Sequence, residues 1–151
     1  MKKELIMTDP TTIQGKAMED IFVKTKELLS TKKIKEYAIP EDKTYTSINF
    51  YYLIDNVPAV KIKLEQEDPE KTCIFFETVT CYRNQGHTNE AFAIAINYIF
   101  NNLAVPEIYA LPINETSAHI LEKHGFYFTA RSEEAVLLNP AYHRKRTKNF
   151  N

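Results

Sequence analysis

Glycine is scarce in this chain of 151 residues: there are three, so each invites a search for the turn, cap or close approach that needs it. Cysteine is scarcer still. Cys73 and Cys81 are too few and too irregularly placed for a disulfide framework, and without a CxxC pair they lack the spacing of a zinc site, so no metal is expected. Both read as reduced thiols, Cys73 as a core residue. Neither sign of charge dominates, the formal net charge being -1, which removes the electrostatic footprint of a nucleic-acid surface. The one basic cluster is "HRKRTK" at 143–148, which reads as a solvated tail. No apolar run approaches the roughly 18 residues of a membrane span, and "MKKELIMTDP" holds too short an apolar stretch for a signal peptide. A cytoplasmic protein without a membrane partner is therefore the expectation.

What is present is the composition of an ordinary globular domain, with 44% hydrophobic and 26% charged residues. A chain of this length forms one domain that buries about two-thirds of the surface it exposes when unfolded. We read residues 1–140 as that domain and 141–151 as a basic C-terminal tail. Residues 4–7 suggest a short strand, and Ala17, Met18, Ile21, Phe22, Leu28 and Leu29 recur at helical spacing. From Tyr45 the period changes to two. Thr46, Ile48, Phe50, Tyr52 and Ile54 share a face, Asp55 and Asn56 turn the chain, and Val60, Ile62 and Leu64 alternate with Lys61, Lys63 and Glu65. This predicts a hairpin with one buried face. "KTCIFFETVT", apolar on both faces, predicts a central strand after a turn at "EQEDPE". A helix over 88–103 follows, then a strand in "PEIYALPIN", a helix in "ETSAHILEKH" capped by Gly125, and closing strands in "FYFTA" and "EEAVLL". The order predicts an α/β fold, a mixed sheet flanked by helices.

Gly86 stands between the central strand and the longest apolar helix, in "CYRNQGHTNEAFAIAINYIF". Two readings fit it: a plain turn, or a helix start whose free amides and positive dipole end receive an anion such as phosphate. In the second, the missing Cβ lets phosphate reach the backbone of Asn84, Gln85, Gly86, His87 and Thr88. Arg83 adds charge, and the Thr88 hydroxyl caps the helix. "YRNQGHTNEA" resembles the Arg/Gln-x-x-Gly-x-Gly/Ala pyrophosphate motif of the GCN5-related N-acetyltransferase (GNAT) family, in the form seen in its ribosomal-protein N-terminal acetyltransferase-like (RimJ/RimL-like) branch. "NETSAHILEKHGF" resembles that branch's second signature through Asn114, Ser117, Leu121, Glu122, Lys123, Gly125 and Phe126. The convincing part spans residues 71–128. Two departures stand out: Thr88 occupies the second small position, and Leu121 stands where many members place a tyrosine that protonates the departing thiolate.

The resemblance implies a single-domain GNAT-like fold with a mostly antiparallel mixed sheet, acetyl-CoA as cofactor, and transfer of its acetyl group to a primary amine on a protein N-terminus or a small molecule. It implies that pantetheine pairs like an added strand with Val79, Thr80 and Cys81, whose amides also face the oxyanion, and that pyrophosphate sits on Asn84, Gln85, Gly86, His87 and Thr88 beside Arg83. Asn114 either reaches the pantetheine amides or simply caps its helix. Glu77, a carboxylate within an apolar strand, reads as the general base or as half of an ion pair. Ser117, on the Leu121 face of its helix, reads as a proton relay or a packing residue. His119 and His124 read as surface or capping histidines. A CoA-binding regulatory module with weak or no turnover is the alternative that Thr88 and Leu121 keep open, and a homodimer is compatible with the sequence. A nucleic-acid partner acting through the basic tail is the least favoured class.

Overall fold

In the computed structural model, residues 2–29, 46–68, 71–128 and 133–142 are described. They form β1 (Lys3–Thr8), α1 (Ile13–Leu29), β2 (Thr46–Ile54), β3 (Val57–Asp68), β4 (Lys71–Thr78), α2 (His87–Asn102), β5 (Glu107–Ala110), α3 (Glu115–Lys123), β6 (Tyr127–Phe128) and β7 (Ala135–Leu138). The strands make one sheet in the order β1-β2-β3-β4-β5-β7-β6. Every neighbouring pair is antiparallel except β4 with β5. The predicted element order and sheet type are both found. The basic cluster at 143–148, the strand start at Tyr45 and the end of "FYFTA" lie outside the described residues.

The β2–β3 hairpin turns at Asp55 and Asn56, whose φ angles of 49° and 67° belong to the left-handed region that a two-residue hairpin turn requires. Register then follows the alternation: Ile48 faces Leu64, Phe50 faces Ile62 and Tyr52 faces Val60. These side chains form the larger core with Ile74 of β4, Ala91, Phe92, Ala95 and Ile99 of α2, and Leu121 of α3. The expectation of a single buried face is corrected. Tyr51 and Leu53 are buried on the opposite side of β2, with Phe22 of α1 and Val79, because α1 covers that face.

Two helix ends explain the other glycines. Gly15 is buried at the start of α1, where an added Cβ would lie 1.9 Å from the Asp9 carbonyl oxygen. The Thr12 hydroxyl there accepts a hydrogen bond from the Gly15 amide at 3.0 Å, satisfying an otherwise orphaned donor. Gly125 has φ +90°. Its amide donates to the Glu122 carbonyl and the Phe126 amide to the Leu121 carbonyl, each at 3.0 Å. This paired closure of the helix end is the role predicted for Gly125.

Candidate functional site

The site begins where β4 leaves β5. Their parallel ladder is short, with the recorded pair Cys73 and Tyr109, whereas β4 pairs with β3 along its length to Thr78. The Val79 amide donates to the Ala59 carbonyl at 2.8 Å, so the main-chain groups of alternate β4 residues, Phe75 and Glu77 included, also point toward β3. Those of Phe76 and Thr78 point the other way, into the gap that opens past Cys73. Among the described residues no ladder pair with β5 is made past Cys73, and with the Thr78 carbonyl taken by the Arg83 side chain, the Phe76 groups and the Thr78 amide are left on an edge of the kind that an extended ligand can extend.

At Val79, Thr80 and Cys81, where a strand edge was expected, the backbone has already left β4. Thr80–Tyr82 is a turn of 3-10 helix; the Val79 amide is committed to Ala59 and its carbonyl to the Tyr82 amide at 2.9 Å. Exposed Cys81 and Thr80 turn away from the strand direction after Thr78. The reason is local: β4 ends at Thr78, and "VTCY" closes a tight turn before the next helix.

From that turn the chain enters the start of α2 through two left-handed residues, Asn84 at φ 63° and Gly86 at φ 82°. Gly86 is the N-cap, and no side chain caps the helix. Thr88 thus does not cap α2 as expected; its hydroxyl bonds that of Thr78 at 2.5 Å and ties the helix start to the end of β4. The amides of Gly86, His87, Thr88 and Asn89 precede the first intrahelical bond, from the Glu90 amide to the Gly86 carbonyl, and form an uncapped cluster of donors at the positive end of the dipole. A Cβ at Gly86 would meet nothing within 4 Å, so the position is open to an approaching group. Arg83 lies beside it, its Nε donating to the Thr78 carbonyl at 3.1 Å. His87 is buried, between the rings of Tyr52 and Tyr82.

On α3, Asn114 and Ser117 form a capping box: the Ser117 amide donates to Asn114 Oδ1 at 2.8 Å, and the Asn114 amide donates to Ser117 Oγ at 3.1 Å. The Ser117 hydroxyl spends its proton on the Asn114 carbonyl at 2.9 Å. Of the two readings of Asn114, the helix cap is the one found, and the same contacts occupy the hydroxyl expected to relay a proton. Leu121 is fully buried core.

Glu77 lies on the α1 side of the sheet, in a row that register places across three strands: Tyr51, Lys61 and Glu77. It is not buried as the apolar run suggested. Its side chain is 41% exposed and pairs with Lys26 of α1 at 3.0 Å. Next to it, Glu19 of α1 receives Lys61 at 2.7 Å and the Tyr51 hydroxyl at 2.5 Å. Burial alone would raise the Glu19 carboxyl, but these two donors outweigh it and hold it below the usual carboxylate range, while burial and the nearby carboxylate push the Tyr51 phenol well up. Asn49 donates to the Tyr51 oxygen at 3.3 Å, and its own Oδ1 is buried without a partner among the described residues. Sequence reasoning missed Lys26, Glu19 and Tyr51. The alternation of Asn49, Tyr51 and Lys61 with the apolar face was the available signal for a polar sheet surface here.

A separate concavity of about 460 Å³, between α2 and the turn at Asn139, touches none of the loop residues 83–88. No helix among the described residues is long and apolar enough to cross a membrane.

Solved structures with the same arrangement of sheet and helices show that the chain has the fold of the GNAT acetyltransferases. The aminoglycoside acetyltransferase AAC(6')-Ib, solved in complex with coenzyme A, is similar over 96% of this chain and 99% of its own, with a TM-score of 0.65 at 13% identity. Ribosomal-protein-S5-alanine acetyltransferase from Vibrio fischeri is similar over 94% of this chain and 96% of its own, with a TM-score of 0.61 at 11% identity. A GNAT-family acetyltransferase from Bacillus anthracis matches 60% of this chain with a TM-score of 0.52 at 19% identity, and the chain spans 66% of that protein's length. No family model and no curated protein matches the sequence.

Proposed function

We propose that this protein is an N-acetyltransferase that moves the acetyl group of acetyl-CoA to a primary amine. The observation that carries the reading is the continuity of the open β4 edge with the uncapped start of α2: an extended amide-bearing arm fits the first and a pyrophosphate the second. The residues present suit CoA. The Phe76 main chain and the Thr78 amide face the pantetheine amides, the amides of Gly86, His87, Thr88 and Asn89 donate to phosphate oxygens, and Arg83, whose Nε already holds the Thr78 carbonyl, supplies the countercharge. Bound there, acetyl-CoA supplies an activated thioester. The chain must hold the arm straight, accept the amine's proton and keep donors facing the carbonyl oxygen where charge develops.

Glu77 is the proposed proton acceptor. It is adjacent in sequence to the edge residues Phe76 and Thr78, faces the α1 side, and is exposed enough to meet an amine. An acceptor arriving as an ammonium ion takes the place Lys26 holds, then gives its proton to the carboxylate before attack. The likeness of "NETSAHILEKHGF" to the ribosomal-protein branch supports a protein N-terminus as acceptor, while likeness to an aminoglycoside acetyltransferase supports a small-molecule amine; both belong in one test panel.

The test is thermal denaturation with CoA, followed by thiol release from acetyl-CoA in the presence of peptides with free N-termini and of small amines. CoA at a hundredfold excess over its dissociation constant should stabilise the fold by about 2.7 kcal/mol. An unchanged melting temperature at saturating CoA would overturn the proposal. Binding without thiol release across the panel would favour the regulatory module.

A further inference from the structure

The side chains of Gln85 and His87 are arranged in a way that phosphate binding alone does not require. Gln85 Nε2 donates to the Cys81 carbonyl at 2.9 Å. Because that carbonyl can only accept, the amide group must present its NH₂ there and its Oε1 to the other side. At that side stands His87 Nε2, 3.2 Å from Oε1, which must carry a hydrogen because it faces an acceptor. The remaining ring nitrogen, Nδ1, is then a bare lone pair, and it is buried with no hydrogen-bond partner among the described residues. A proton on it would create a buried donor with nothing to accept it. The ring neighbours Tyr52 of β2 and Tyr82 of the turn, at centroid distances of 6.4 and 6.0 Å, and the residue is 5% exposed.

We propose that Gln85 and His87 form an internal strut that holds the loop in its phosphate-receiving shape before any ligand arrives, making both of them positioning residues for the phosphate end of CoA. The inference rests on the CoA reading above and deepens it. The strut folds the Gln85 side chain back onto the turn and leaves the loop amides uncovered. Together with the Thr78–Thr88 hydroxyl contact and Arg83 on the Thr78 carbonyl, it ties residues 78–88 at three points. A loop ordered in advance loses less conformational entropy when the ligand binds.

The strut is tested first without ligand. Ring ¹⁵N–¹H correlation spectra of the whole protein should show the hydrogen of the His87 imidazole on Nε2, and the Gln85→Met variant should lose that preference. The Nδ1–H tautomer in the unaltered protein would overturn the proposal. Calorimetric titration of CoA and of pantetheine, which lacks the phosphates, then reads the positioning role. Gln85→Met and His87→Phe should each raise the dissociation constant for CoA about tenfold, corresponding to one or two lost hydrogen bonds. The double variant should be no worse than the weaker single one, since the two residues act as a unit, and pantetheine binding should not change. If the unaltered protein binds CoA and both single variants bind it equally well, the strut proposal fails and the CoA reading stands. Equal losses for CoA and pantetheine would also overturn it, by revealing general damage. If the unaltered protein does not bind CoA, the CoA reading itself has failed, and the strut's positioning role falls with it.

Discussion

Glu77 and Gly86 are the residues at which a structural and a functional role separate most sharply. Glu77→Gln keeps the side chain's shape and removes its capacity to take a proton. If it is the base, turnover near neutral pH should fall about 10²-fold or more while CoA affinity holds. The deficit should narrow at high pH, where more of the amine arrives deprotonated. Steady-state rates across pH, with CoA affinity measured alongside, decide the matter; loss of stability with full turnover per folded molecule would leave the carboxylate as Lys26's ion partner only. At Gly86 the packing is silent, because a Cβ there meets nothing within 4 Å. What opposes substitution is the φ of 82° and, under the proposed function, the approach of the CoA phosphates. Gly86→Val should therefore fold with a strain of about 1–3 kcal/mol and lose CoA binding. Titration of the folded variant checks this, and normal affinity would assign the glycine to the turn alone.

Among the elements, α1 depends on a glycine for the opposite reason. A Cβ at Gly15 would be driven into the Asp9 carbonyl, part of the backbone and unable to swing aside. Gly15→Ala should destabilise the protein by about 1–3 kcal/mol or more, read as a lower denaturation midpoint. At the end of α3, burial, with a smaller contribution from Lys123, holds His124 below its ordinary value of 6.5. Its Nε2 lies 3.1 Å from Asn89 Oδ1, and its ring packs on Phe92 at 5.0 Å. The folded state thus binds this proton less readily than the unfolded chain. The stability from the neutral ring is fully present above pH 6.5 and is lost as pH falls from there through the lowered value. Melting temperatures below pH 6.5 should fall less steeply in His124→Gln than in the unaltered protein. These elements were legible to different degrees. The hairpin turn, both later helices and the Gly125 cap follow from local patterns. The second buried face of β2 did not, because "INFYYLI" is apolar at nearly every position and cannot announce which side a distant helix covers. The Lys26–Glu77 pair joins residues 51 positions apart, beyond any local pattern.

For the molecule as a whole, the order of strands and helices along the chain was readable because the apolar spacing switches between strand and helix periods, with turn residues at the joins. The chemistry on the α1 side was less so, since it is assembled from β2, β3, β4 and α1 at once. The ladder between β4 and β5 has a mechanical consequence. Four strands, β1 to β4, are laced together by long antiparallel registers, and β5, β7 and β6 by shorter ones, with the pair at Cys73 and Tyr109 as the seam between them. A sheet stitched in this way has its fewest main-chain bonds at that seam, where local opening costs least. If CoA binds along the β4 edge as proposed, it adds bonds at that seam, so occupancy should slow amide exchange in β5 and β7 even though neither contains residues 83–88.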